Sequence, residues 1–236
     1  GRIDRSRAVS SRFDGKPLGG FAGDTLASAL LANNRTVIAR SFKYHRPRGV
    51  LSAGVEEPNA LFTLGEGART EPNVPGTMTD LVEGLVARSQ NAWPSPDLDL
   101  MAINSALAPL FQSGFYYKTF MGPSKGSWMF YEPFIRRAAG LGTATALADP
   151  DRYDTRHEYC DVLVIGAGPA GLAAALTAGR SGARVVLAEQ DSEFGGSLLS
   201  ASDADNEAWR GDCVEELLAM ANVKLRSRTI VQGLYD

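Results

Sequence analysis

Cysteine and histidine are scarce in this chain of 236 residues: Cys160, Cys213, His45 and His157 are all it has. Two cysteines cannot build a disulfide framework or a four-thiolate cage. Free thiols in a reducing cytoplasm are therefore expected, and no metal site. The histidines read as isolated, with no Ser/His/Asp or Cys/His constellation, so no catalytic residue is assigned. No apolar run approaches the roughly 20 residues needed to span a bilayer, which excludes a spanning helix and argues against a membrane partner. The start, Gly1-Arg-Ile-Asp-Arg-Ser-Arg7, lacks the apolar stretch of a secretory leader. A net charge of -3 gives no attraction to nucleic acid. Hydrophobic content of 44% and charged content of 22% are ordinary for a globular protein.

What the chain does have is concentrated in Asp161-Val-Leu-Val-Ile-Gly-Ala-Gly-Pro-Ala-Gly-Leu-Ala-Ala-Ala175. Val162 to Ile165 read as a fully buried strand, and the Ala/Leu-rich run after the glycines reads as a helix. Gly166, Gly168 and Gly171 form G-x-G-x-x-G. The first allows a tight turn, the second lets a pyrophosphate approach bare backbone, and the third lets helix pack on strand. The phosphates would meet N–H groups at the helix's positive end. Arg184 to Glu189 reads as a second buried strand ending in an acid, 18 residues past Gly171. That spacing suits a carboxylate accepting from a ribose hydroxyl and disfavours a 2′-phosphate, so NAD or FAD is expected rather than NADP. Pro169, Ala170, Gln190, the paired Gly195-Gly196, Ser197 and Ile230 complete the candidate cofactor contacts. Thr229 to Gly233 is expected to be a strand bringing Ile230 beside the adenine, after a strand over Val223 to Ser227. An amphipathic helix over Asp205 to Met220 is expected to bury Trp209, Val214, Leu217 and Leu218.

The N-terminal part has a different texture. Residues 1–12 read as an extended arm or edge strand, and Asp14-Gly15 as a hairpin turn. Gly23 to Ala32 reads as a helix capped by Asp24 or Thr25 and ended by Asn33-Asn34. Val37 to Ala39, Ala60 to Leu64 and Met78 to Leu85 (bent at Gly84) read as strands. Lys43, His45, Arg46 and Arg48 form a basic segment, either a solvated or subunit-contacting face or a reach toward an anionic cofactor. Trp93-Pro-Ser-Pro96 breaks structure. Residues 98–112 could form a helix, an aromatic-dense stretch runs from Gly114 to Ile135, and Gly140 to Asp154 reads as a linker lying on the next domain. Three parts result. Residues 1–92 are an α+β domain of the β-grasp kind, 93–160 an aromatic-rich helical and linker segment, and 161–236 the start of an α/β Rossmann-type dinucleotide-binding domain. A doubly wound domain needs more strands than these 75 residues after Asp161 supply, so a longer polypeptide is expected.

Phe13 to Pro17 and Gly23 to Ala32 resemble the plant-type ferredoxin domain of multi-subunit amine and amino-acid oxidoreductases. The loop that carries C-x4-C-x2-C in such domains is here Pro47 to Asn59 and has no cysteine, so a ferredoxin-like scaffold without an iron–sulfur cluster is expected. Over its whole length the chain is similar to the alpha subunits of heterotetrameric sarcosine oxidases. Gly23–Ala32, Arg40–Gly49 with Gly54–Ala60, Gly114–Phe120 with Tyr131–Gly140, and Asp149–Tyr153 carry the likeness. The resemblance implies oxidation of sarcosine to glycine with peroxide formation and tetrahydrofolate-linked one-carbon transfer. It further implies NAD on this subunit, FAD and FMN elsewhere in the complex, and beta, gamma and delta partner subunits. It assigns Gly166, Gly168, Gly171 and Glu189 to NAD. An FAD-binding amino-acid dehydrogenase subunit and a non-catalytic assembly scaffold are the competing readings.

Overall fold

A computed structural model describes residues 3–106, 108, 122, 124, 126–138, 140–201 and 203–234. The chain divides into two compact units, Gly1–Arg152 and Tyr153–Asp236.

In the first unit, β1 (Asp4–Phe13) and β2 (Lys16–Ala22) form an antiparallel hairpin closed by Asp14 and Gly15. Both turn residues have positive φ, 48° and 75°, the backbone twist that two-residue hairpins require. β1 is not the expected arm or edge. Its other side pairs in parallel with β7 (Val86–Ser89), and with β5 (Leu61–Leu64) and β6 (Glu71–Pro75) the sheet order is β2-β1-β7-β5-β6. Helix α1 (Leu26–Ala32) starts at Thr25, whose hydroxyl accepts from the Ser28 N–H while the Ser28 hydroxyl receives the Thr25 N–H. Asn33 caps the end, and Asn34 turns away at φ 58°. The helix buries Leu26, Ala29 and Leu30 against Phe13, Ile38 and Phe62, with the two phenyl rings edge to face at 5.4 Å.

Met78 to Leu85 is not a strand. Its polar backbone serves the start of α1 instead: the Leu26 N–H donates to Thr79 O and the Leu81 N–H to Asp24 O. Leu81 plugs the core, and Gly84 at φ 76° turns the chain into β7. Of the strand expected over Val37–Ala39 only Ala39 is in one: β3 (Ala39–Arg40), which starts two residues later and pairs with β4 (Pro47–Arg48). Of the helix expected over 98–112, a 3-10 turn at Leu100–Ala102 and the short α2 (Ile103–Ala106) are present. Residues 107 and 109–121, with the aromatics among them, lie outside the described residues. Helix α3 (Ser127–Ala138) follows, with Met129, Phe130 and Phe134 exposed. The segment from Gly140 to Asp151, expected as a linker on the next domain, is tied to the first unit. The Gly142 N–H donates to Asn73 Oδ1 at 2.9 Å, and the Arg69 guanidinium grips the Asp151 carboxylate at 2.9–3.1 Å.

The second unit is a parallel sheet with helices on one face. β8 (Val162–Ile165), β9 (Val185–Ala188) and β10 (Val223–Arg226) lie in the order β10-β9-β8. α4 (Pro169–Arg180) and α5 (Ala204–Ala219) bury Leu172, Ala175, Leu176, Cys213 and Leu217 against Val185 and Leu187. β9 is buried throughout, whereas β8 is half-buried and Ile165 is 69% exposed. Among the described residues β8 is an edge, and its apolar run alone could not signal that. On α5 the buried face runs through Cys213, Val214 and Leu217, while Trp209 and Leu218 are exposed, contrary to expectation. Residues 213 and 217 sit one turn apart and define the stripe, and 218 falls beside it. Thr229 to Gly233 forms no strand. The Arg228 and Thr229 N–H groups donate instead to Asp191 O and Glu189 O, at the end of β9.

Glu158 ties the chain entering β8 to β10, accepting from Lys224 Nζ at 2.7 Å and from the Arg226 guanidinium at 2.6 and 3.1 Å. Hydrogen bonds from Lys224 and then Arg226 lower its carboxyl from 4.5 to about 2. A depressed folded-state value means that the pairing supports the fold fully above pH 4.5 and loses that support as pH falls toward 2. Urea midpoints measured across this window should fall more steeply for the wild type than for Glu158→Gln. Parallel curves would show that the pairing contributes nothing.

Candidate dinucleotide site

The chain leaves β8 through Gly166, whose φ of 89° is open to glycine and costly for other residues. Its N–H donates to Ala188 O at 2.8 Å, so the turn is fastened to β9. Gly168 is the N-cap of α4 and brings no side-chain cap, and Pro169 at the first helical position has no N–H to satisfy. The remaining first-turn N–H groups thus face outward at the positive end of a 12-residue helix. A Cβ built on Gly168 would meet nothing within 4 Å, which leaves open space over this glycine. Gly171 is the opposite case: a Cβ there would lie 1.9 Å from Gly166 O. Only a hydrogen lets α4 lie this close to the turn.

β9 delivers Glu189 to the same place. The residue is 6% exposed, with Oε2 accepting from the Ala167 N–H at 2.6 Å and Oε1 from the Asp191 N–H at 3.0 Å. A carboxylate has about four acceptor positions, so two backbone donors leave capacity for hydroxyls. Gly195 and Gly196 close the other side. The Gly195 N–H donates to Ala167 O at 2.8 Å, and a Cβ on Gly196 would come within 2.8 Å of Gly168 Cα. Gly166, Gly168, Gly171, Glu189, Gly195 and Gly196 therefore converge on one turn. Pro169 and Ala170 open α4 and are exposed, Gln190 is exposed one residue beyond Glu189, and Ser197 is exposed on the 3-10 turn Gly196–Leu199. Ile230 is 75% exposed and follows the Arg228–Thr229 crossing over the end of β9. That crossing is made by backbone N–H groups, which carry no residue-specific signal in the sequence.

In the first unit the basic segment is partly internal. Lys43 and Arg46 lie 5.1 and 4.9 Å from the centre of the Tyr44 ring. His45 is not isolated. It is 3% exposed, its Nδ1 lies 2.7 Å from Asp99 Oδ2, and Asp99 Oδ1 accepts from the Trp93 and Met101 N–H groups at 3.0 and 3.1 Å. The partners are 54 residues apart, beyond any local spacing rule. Among the described residues His45 Nε2 has no hydrogen-bond partner. A cleft between Arg40, Phe42, Arg48, Asn59, Gln90 and Leu141 also lies in this unit, and none of the dinucleotide-site residues lines it.

Two family models match. A 2Fe-2S iron-sulfur cluster binding domain covers residues 6–92, and an FAD dependent oxidoreductase covers 161–232. Sarcosine oxidase subunit alpha of Rhizobium meliloti (strain 1021) is 56% identical over 100% of this chain and 24% of its own length. The subunit of the same name from Corynebacterium sp. (strain U-96) is 37% identical, again over 100% of this chain and 20% of its own length. The structure of L-proline dehydrogenase from P. horikoshii superposes with a TM-score of 0.51, covering 99% of this chain and 36% of that one. At 20% identity it speaks to the fold alone. These matches define a class: oxidoreductase subunits that join a ferredoxin-like domain to an FAD-dependent oxidoreductase domain. Over its whole length the chain is similar to part of the sarcosine oxidase alpha subunits, and it spans about a quarter of the length of the first relative.

The cluster implied by the first family model does not fit the residues present. Such a centre needs thiolates, and both cysteines, Cys160 and Cys213, lie in the second unit.

Proposed function

We propose that the second unit holds a dinucleotide by its ADP half, with the diphosphate over Gly168 and the ribose against Glu189. The carrying observation is the open space above Gly168 at the uncapped start of α4, beside a buried carboxylate tied to the same turn. NAD is the first reading. FAD is the second, favoured by the match of residues 161–232 to the FAD dependent oxidoreductase family. The ADP half is common to both, and the glycines and Glu189 serve either. When bound, the coenzyme supplies a two-electron acceptor or donor. The chain's residues supply outward N–H groups for the diphosphate and a carboxylate for the ribose hydroxyls.

The names of the relatives support a wider reading. The chain is part of an alpha subunit in a cytoplasmic, multi-subunit, flavin-dependent amine oxidoreductase that oxidises sarcosine to glycine. It works with beta, gamma and delta subunits, FAD and FMN in the complex, peroxide as product and folate-linked one-carbon transfer. Denaturing the full-length subunit and recording the spectrum of the released nucleotide separates the two coenzymes, because only FAD leaves a yellow supernatant. Release of neither would reject the site. Sarcosine-dependent peroxide production by the assembled complex tests the activity, and its absence with bound coenzyme would reject the substrate.

Glu189→Ala should weaken dinucleotide binding by about 1.5–3 kcal/mol, the loss of a charge-assisted hydrogen bond. Isothermal titration of the full-length subunit reads this directly, and unchanged affinity would place the ribose elsewhere.

A further inference from the structure

The loop that a plant-type ferredoxin wraps around its cluster is still wrapped around something here. In the C-x4-C-x2-C spacing, one register across the loop falls on Ser52, Glu57 and Ala60. Glu57 is 4% exposed, although it stands in an irregular segment of a small unit. Its Oε2 accepts from the Leu51 and Ser52 N–H groups, each at 2.6 Å, and its Oε1 from the Asn59 N–H at 2.7 Å. Burial pushes its carboxyl up. The N–H groups of Ser52, Asn59, Leu51 and Ala60 outweigh that and hold it below the ordinary range. The Ser52 hydroxyl is buried and has no hydrogen-bond partner among the described residues. The loop is further tied down by Asn59 Nδ2 to Gly49 O at 3.1 Å and by the Thr77 hydroxyl to Gly54 O at 2.6 Å.

Convergent backbone N–H groups make a concavity that wants negative charge. An inorganic cluster held by thiolates satisfies that demand in a cluster-binding domain. Here a side chain from the loop itself meets it. We propose that the Glu57 carboxylate is a built-in anion that replaces the cluster as the centre of this loop, so that the first unit folds around its own charge and requires neither iron nor sulfide. The inference is independent of the dinucleotide site, which lies in the other unit.

Hydrogen exchange followed by mass spectrometry on the full-length subunit tests it. Glu57→Gln keeps the shape but offers one acceptor oxygen and turns an NH2 toward backbone donors. Exchange in the peptide covering residues 50–60 should speed up roughly tenfold or more, while α1 keeps its protection. Unchanged exchange in that peptide would overturn the proposal. A second measurement needs no variant. Wild-type protein should contain no stoichiometric iron or acid-labile sulfide, and its loop protection should survive a chelator. Stoichiometric iron and sulfide, or protection lost on chelation, would overturn the proposal even if the Gln variant fails to fold.

Discussion

Gly171→Ala is expected to lower dinucleotide affinity by about a hundredfold, or ~2.7 kcal/mol. Helix propensity points the other way, since alanine in a helix interior is favoured over glycine by about 1 kcal/mol. The contact decides: the new methyl would sit 1.9 Å from Gly166 O, a backbone atom in a turn that is itself hydrogen-bonded to β9. Either α4 lifts from the turn or the turn deforms, and both displace the N–H groups that face the diphosphate. Gly168→Ala is the control, because its methyl meets nothing within 4 Å of protein. Its fold should be unchanged in thermal unfolding while binding falls, as the methyl occupies the space proposed for the ligand. Affinity near wild type in both variants would remove the dinucleotide from this turn.

Asp99→Ala should cost the first unit about 2–3 kcal/mol, because a buried donor left unsatisfied, here at His45, costs about 1–3 kcal/mol and two part-buried N–H groups lose their acceptor as well. The carboxylate serves the Trp93 and Met101 N–H groups and His45 Nδ1, and both side chains of the pair are at most 3% exposed. Asp99→Asn retains an acceptor oxygen but turns an NH2 toward one of these partners, so a smaller loss is expected. Denaturant unfolding of the two variants and wild type measures the order. A change below about 1 kcal/mol for Asp99→Ala would mean that water replaces the lost partners at little cost.

Legibility in the sequence followed the range over which each determinant acts. The Asp14-Gly15 turn, the Thr25 cap and the glycine turn at Gly166 to Gly171 are set by residues within one turn of each other, and they could be read directly. The strand expected over Met78 to Leu85 is absent, since backbone groups of that segment bond to the start of α1 through tertiary contact. The Thr229 to Gly233 segment failed for the same reason, its first N–H groups being taken by Asp191 and Glu189. The His45–Asp99 pair and the grip of Arg69 on Asp151 join residues that only the fold brings together. Within the candidate site, the glycines and Glu189 were visible because their spacing reflects backbone geometry. The tie from Glu189 to Ala167 and the crossing at Arg228 and Thr229 depend on where β9 ends relative to its neighbours.

Thiolates climb through sulfenic to sulfinic and sulfonic acid when oxidants reach them, the last steps being largely irreversible. A glutamate at the heart of the Leu51–Asn59 loop has no such ladder. Under the peroxide-forming reaction proposed above, the first unit presents a loop whose centre holds no thiol to oxidise.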